Sequence, residues 1–285
     1  MDEEYLRKTG QAVRLLVCDL DGTLLNSRKL ISPENLAAIR EAQAKGIFVT
    51  LCSGRVPEML EAYARQLAIR GPLIAANGAV IFDTRTREMP YRNCADRERT
   101  RALLRFCLDR GMDIVVASSS GCWHAPGSAR IRRFEQYNEI AGQYDPPLPP
   151  LSLRLFDPDY QEALGGAIYK VLVSGLSPEE QALVEEQVRS IGNLSVTSSE
   201  QGLADIGACG ISKGEGIRIL AELLGIERNK ICGIGDYQND IPMLEYAGLS
   251  IAMGNADDAV KSRALAVTAA NDEDGVALAI RRFML

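Results

Sequence analysis

Asp19 and Asp21 are the first residues in this 285-residue chain from which chemistry can be read. They follow Val13–Cys18, a short apolar run broken only by Arg14. Residues i and i+2 of an extended chain project to the same side, so both carboxylates can face one point. Two carboxylates so placed repel, and a divalent cation is one way to relieve the repulsion. Hard oxygen ligands with open positions suit Mg²⁺, which keeps several waters and bridges to phosphate. The plainer reading of Asp19-Leu20-Asp21-Gly22 is an acidic turn after a strand.

Three more groups recur at comparable places. Ser53-Gly54-Arg55 offers a hydroxyl and backbone N–H groups after the apolar run Ile47–Cys52, the usual means of holding phosphate oxygens. Taken alone it is also an ordinary polar turn. Lys213 follows the N-cap candidate Ser212, where a cation opposes the helix dipole. A lysine there makes sense if it meets an anion together with the helix N-terminal amides. Gly235-Asp236, with Asn239 and Asp240, places three oxygen-bearing side chains after the apolar run Ile231–Ile234. That is a magnesium-type donor set, although Asn239 or Asp240 could equally cap the next helix.

The elements that must position these groups alternate. Strands are expected over Val13–Cys18, Ile47–Cys52 and Leu73–Ala76, with helices from Ser32-Pro33-Glu34 to Lys45 and from about Pro57 to Leu67. The same alternation returns after Ser212, with strands at Ile231–Ile234, Leu249–Met253 and Leu265–Thr268 and a last helix near Asp274. This predicts an α/β fold: a doubly wound, parallel-sheet, Rossmann-like core whose ligands sit at the carboxyl ends of the strands. The middle reads as a smaller α/β insert, with helices at Arg97–Arg110, about Ala129–Ala141, and from the capping box Ser177-Pro178-Glu179-Glu180 to Gly192. Strands are expected there at Met112–Ala117, Ser119–His124 and Ala167–Val173, with a proline-rich link at Pro146–Pro150. The expected division is core 1–83, insert 84–203 and core 204–285.

In this order the residues resemble the haloacid dehalogenase superfamily. Asp19-Leu20-Asp21-Gly22-Thr23-Leu24-Leu25 matches its first motif, Ser53-Gly54-Arg55 its second, Lys213 its third, and Gly235-Asp236 with Asn239-Asp240 its fourth. Met243-Leu244 and Ala252-Met253-Gly254-Asn255-Ala256 look like the Cof-type branch, whose cap domain is a large α/β insert between the second and third motifs. The resemblance implies a Mg²⁺-dependent phosphatase. Asp19 would be the nucleophile and Asp21 the acid and base, which must hold a proton in the Michaelis complex through a pKa raised by its surroundings. Ser53, the Gly54 N–H and Lys213 would bind phosphate. Asp19, Asp236 and the Asp21 carbonyl would hold the metal, with Asn239 and Asp240 in support. The substrate class it implies is a small phosphorylated metabolite, with sugar phosphates leading.

The insert offers Trp123, His124, Arg130, Arg132, Arg133 and Tyr137 as candidate substrate contacts, each more simply read as core or as a solvated helix face. Two other uses of the site stay open: a phosphotransferase or mutase sharing the intermediate, and a non-catalytic sensor of phosphorylated metabolites. Composition narrows the rest. A net charge of −6 argues against nucleic acid or anionic membrane as main partner. One histidine, His124, leaves little for a histidine metal centre or a Ser-His-Asp triad. Seven cysteines, odd in number and without C-x-x-C spacing, read as reduced thiols of a cytoplasmic protein. The opening MDEEYLRKTG lacks the apolar core of a signal peptide, and no apolar run approaches the ~18 residues of a membrane span. The expected state is a monomer or weak homodimer.

Overall fold

The computed structural model describes residues 3–198 and 200–285. Met1 and Asp2, from the charged opening stretch, and position 199, inside the expected insert, lie outside the described residues. By contact the chain forms two units. One comprises the chain up to Arg55, Tyr63–Tyr91 and Ser212–Leu285; the other comprises Val56–Ala62 and Arg92–Ile211.

The first unit is built on five parallel strands in the order Ala266–Val267, Leu249–Ala252, Ile231–Gly235, Leu15–Cys18, Phe48–Leu51. Leu15, Leu16, Val17 and Cys18 are each fully buried, as a central strand covered on both faces requires. The sheet is extended beyond Phe48–Leu51 by the hairpin Pro72–Ala75 and Val80–Asp83, reached through the bridge between Cys52 and Ile74. Leu15–Cys18 pairs on one side with the strand that follows it among the parallel five and on the other with Ile231–Gly235, far along the chain. That is the topological switch point, where ligands of doubly wound folds collect. Every expected motif after a core strand therefore lands on one edge of one sheet.

Two helices of this unit carry the expected signals. Ser32 Oγ accepts from the Asn35 N–H at 3.1 Å to open Pro33–Ala44, and Ser212 Oγ accepts from the Glu215 N–H at 3.0 Å to open Lys213–Leu224. The second helix is seated unusually close to the turn Ala76–Gly78. A Cβ on Gly78, whose φ is +99°, would lie 2.2 Å from the Ser212 carbonyl oxygen, so glycine is needed for both the conformation and the approach.

The second unit is a six-stranded sheet in the order Leu194–Thr197, Leu203–Ala208, Ile168–Ser174, Asp113–Ser118, Gly121–His124, Leu153–Leu155. All neighbours are antiparallel except the last pair. Helices Arg97–Leu108 and Pro178–Ile191 bury Leu103, Leu104, Cys107, Val184 and Val188 against Ile114, Val116, Val171, Val173 and Ile206. The insert spans Arg92–Ile211 by contact, against the expected 84–203. Tyr91 pairs in the core hairpin's sheet and holds the preceding segment to the first unit, while Leu203–Ala208 is an interior strand of the six-stranded sheet. Trp123 packs in the insert's core and Tyr137 is buried. His124 Nδ1 lies 2.8 Å from the Ala125 carbonyl, and Arg130 and Arg133 both pair with Glu200. Arg132 lies on the exposed face of the helix Arg132–Gly142.

Candidate active site

Asp19 leaves the central strand at its carboxyl end and is 5% exposed. Its backbone N–H donates to the Ile234 carbonyl at 3.0 Å, which locks it to the neighbouring strand that carries Asp236. Lys213, the first residue of its helix, points its ammonium into the same place. Nζ donates to Asp19 Oδ1 at 2.6 Å and to Asp240 Oδ1 at 2.5 Å. Asp240 is wholly committed, because its Oδ2 accepts from the backbone N–H groups of Asp236 and Tyr237 at 2.9 and 3.0 Å. Oδ2 of Asp19 carries no hydrogen bond from the described residues.

Asp236 sits on the adjacent strand end. The Thr23 hydroxyl donates to its Oδ1 at 2.7 Å, and the Asn255 amide donates to its Oδ2 at 3.3 Å and to the Gly22 carbonyl at 2.9 Å. Gly22 has φ +83° and a Cβ there would lie 2.3 Å from Asp236 Oδ2, so this position too must be glycine.

The charges explain one another. Burial disfavours the Lys213 cation, but Asp19 and Asp240 outweigh it and raise its pKa above that of an ordinary lysine. Burial lifts Asp19 well above the usual carboxylate range against the pull of Lys213, with Asp240 and Asp236 adding to the rise. Burial and Asp240 likewise lift Asp236 to about 6, opposed by the Thr23 hydroxyl and Lys213. Asp19, Asp236 and Asp240 each bring an oxygen to within 4.8 Å of the others, and one ammonium cannot neutralise three carboxylates. The donor set therefore fits a hard divalent cation held through Asp19 and Asp236, with Asp240 holding Lys213.

Asp21 departs from expectation. It does not join this cluster, and its side chain remains 35% exposed. Arg55 grips it in a fork, Nε to Oδ2 at 2.8 Å and Nη2 to Oδ1 at 2.9 Å, and Lys29 Nζ reaches Oδ1 at 3.0 Å. Burial alone would raise its pKa, but Arg55 and then Lys29 prevail and hold the carboxyl well below the usual range. With these partners alone Asp21 is ionised, and the raised pKa expected of it belongs to the complex with a phosphate ester.

Ser53 is buried at 2% exposure and its Oγ accepts from the Arg55 N–H at 3.3 Å, forming a tight loop with Gly54 at its apex. A Cβ on Gly54 would stand 3.0 Å from Asn77 Oδ1. Asn239 donates to that same oxygen at 3.1 Å, so its side chain braces the Ser53–Arg55 loop and not the carboxylates. Asn77 itself is 4% exposed with φ +57°, a conformation Asn tolerates better than most residues. Sequence reasoning left Thr23, Lys29, Arg55, Asn77 and Asn255 without roles. Thr23, Arg55 and Asn255 lay inside quoted motifs, while Lys29 reaches Asp21 across eight residues and Asn77 meets Asn239 across 162.

The haloacid dehalogenase-like hydrolase family matches residues 16–280. A 5-amino-6-(5-phospho-D-ribitylamino)uracil phosphatase of Bacillus subtilis is 32% identical over 291 residues, covering 95% of this chain and 98% of its own. A haloacid dehalogenase-like hydrolase of Bacteroides thetaiotaomicron superposes with a TM-score of 0.81 at 29% identity, over 95% of this chain and 99% of the other. A subclass IIB sugar phosphatase does so with a TM-score of 0.79 at 26% identity, again over 95% and 99%. The chain belongs to the haloacid dehalogenase-like hydrolases, as a phosphatase of their subclass IIB, Cof-type branch.

Proposed function

We propose that this phosphatase hydrolyses a small phosphorylated metabolite, sugar phosphates foremost, by transferring the phosphoryl group to Asp19 with Mg²⁺ as cofactor. One observation carries the reading. Asp19 is buried at the switch point with Oδ1 taken by Lys213 and Oδ2 left for attack. The similar proteins named above act on a phosphorylated ribityl compound and on sugar phosphates, and this supports a phosphorylated polyol or sugar here.

The chain's own groups divide the work. The Ser53 hydroxyl, the Gly54 N–H and Lys213 hold the phosphoryl oxygens and offset their charge in a site where fixed donors need no reorganisation. Asp19 Oδ2 forms a bond to phosphorus as the ester P–O bond breaks, and Asp21 gives a proton to the departing oxygen. Asp21 takes that proton from solvent as the phosphate dianion arrives beside it, because a second negative charge disfavours the carboxylate. In the second half, Asp21 removes a proton from water as the water oxygen attacks phosphorus, returning Asp19 as carboxylate with inorganic phosphate. Asp19, Asp236 and the Asp21 backbone carbonyl would hold Mg²⁺, which when bound offsets the combined charge of carboxylates and phosphate.

We place this activity in the cytoplasm, in a monomer or weak homodimer. All seven cysteines are free and five are buried, consistent with a reducing compartment. Among the described residues no helix is long and apolar enough to cross a membrane. A panel of phosphate monoesters assayed with Mg²⁺, then after chelation, then after Mg²⁺ is restored, tests the proposal. Hydrolysis that stops and returns supports it; hydrolysis undiminished in metal-free protein refutes the cofactor assignment, and no hydrolysis of any ester refutes the activity.

A further inference from the structure

Arg55 is a charged motif residue to which the mechanism above assigns no step. All three of its guanidinium nitrogens are nevertheless engaged. Nε and Nη2 hold the two oxygens of Asp21, and Nη1 donates to the Tyr63 hydroxyl at 3.2 Å. The guanidinium carbon also lies 5.1 Å from the centre of the Tyr63 ring, within cation–π range. Tyr63 is 4% exposed and the Arg55 side chain 17%, so the fork rests on a buried support.

Asp21 has need of such support. Unlike Asp19, it stands in a loop with its side chain 35% exposed, where a carboxylate turns freely about two bonds. An acid must meet the leaving oxygen at hydrogen-bond distance, and an angstrom of misplacement is costly. A planar fork that binds both oxygens fixes the carboxylate plane as well as its position, which a lysine cannot do. Lys29, at 51% side-chain exposure, adds charge at Oδ1 without that geometric control.

We propose that Arg55 is a positioning residue for Asp21, aiming its carboxyl group at the leaving oxygen, and that Tyr63 holds Arg55 in place. The inference rests on the reading of Asp21 as acid and base. Its chemical signature follows. Among the described residues, the ion pair of Arg55 is with Asp21, while Asp19 is held by Lys213. Loss of Arg55 should therefore injure protonation of the leaving group more than attack on phosphorus. An alkyl alkoxide needs that proton; p-nitrophenolate, a far weaker base, leaves with little help.

The test compares kcat/KM for the best alkyl phosphate of the panel with that for p-nitrophenyl phosphate. That constant covers only steps through loss of the leaving group, so the shared hydrolysis of the intermediate does not mask the difference. Asp21→Asn is measured first and should lower the alkyl-to-aryl ratio by about tenfold or more. Arg55→Ala should lower it in the same sense, Arg55→Lys part of the way, and Tyr63→Phe, which keeps the ring and removes the hydroxyl, slightly. In the Asp21→Asn background Arg55→Ala should leave the ratio where it is. An unchanged ratio in Asp21→Asn overturns the acid assignment and this inference with it. A lowered ratio in Asp21→Asn alongside equal losses on both esters in the Arg55 and Tyr63 variants overturns the inference alone, and places Arg55 on the phosphoryl group that both esters share. If Arg55→Ala fails to fold, Arg55→Lys and Tyr63→Phe decide the same question.

Discussion

Lys213 and Asp240 form an ion pair with Nζ 2.5 Å from Oδ1, their side chains 1% and 0% exposed. Asp240 also receives the backbone N–H groups of Asp236 and Tyr237, so one carboxylate ties the lysine to the strand end that carries Asp236. The lysine's second carboxylate is Asp19. Three residues that never meet in sequence are thus held at fixed separations before any substrate arrives.

That arrangement predicts the behaviour of Asp240→Asn. The amide must present its N–H₂ either to the Lys213 ammonium or to two backbone N–H groups, donor against donor in both cases. Breaking one arm of a buried pair costs about 3 kcal/mol or more, and the displaced lysine should cost on the order of a hundredfold in kcat. Thermal denaturation and steady-state kinetics measure the two. A variant with the parent's melting temperature and rate would show that Asp240 does not hold the lysine.

Thr23 makes a narrower case. Its hydroxyl is 2.7 Å from Asp236 Oδ1, and Thr23 is fully buried. Thr23→Val keeps the shape and removes the donor, leaving Asp236 less well oriented. Partners behind a ligand of this kind are typically worth about tenfold or more in metal affinity. The Mg²⁺ concentration for half-maximal activity should rise by that factor, with the rate at saturating Mg²⁺ much less affected. An unshifted Mg²⁺ titration would contradict the assignment of Asp236 as a ligand.

The insert supplies a pH test. Glu200 lies partly buried between Arg130 and Arg133. Burial would raise its pKa, but Arg130 and then Arg133 outweigh it and lower it from the ordinary 4.5. A folded-state pKa below the unfolded one gives stability that is present above the unfolded value and is lost as pH falls through the folded one. Glu200→Gln should therefore melt at a lower temperature than the parent at neutral pH, and the gap should close as pH drops below about 4.5. A gap independent of pH would mean the pair contributes through packing alone.

The site was legible wherever a buried parallel strand ended in a polar residue, because burial on both faces leaves a near-continuous apolar run as its mark. Asp19, Ser53 and Asp236 were found that way, and Lys213 through its cap, Ser212. The fork from Arg55 to Asp21 was not legible, since nothing in either tripeptide says which cation a carboxylate will meet across 34 residues. The low pKa that this fork gives Asp21 was hidden for that reason. The expected insert boundary cut Leu203–Ala208 for a different one. Asp205 within it is buried in an ion pair with Lys170, and a charge inside a strand of small residues hides its interior position from hydropathy. Leu153–Leu155 and Leu194–Thr197 are short sheet edges, half solvated, and so lack a strong pattern in either period.

The central claim is that Asp19 carries the phosphoryl group. The most direct measurement is acid quenching of the enzyme during turnover, followed by mass spectrometry of its peptides. The account predicts a peptide heavier by one phosphoryl group with the modification on Asp19, released on return to neutral pH, and no such species in Asp19→Asn, which should be inactive yet melt as a folded protein. Near-normal turnover by Asp19→Asn, or a phosphoryl group trapped on another residue, would contradict it.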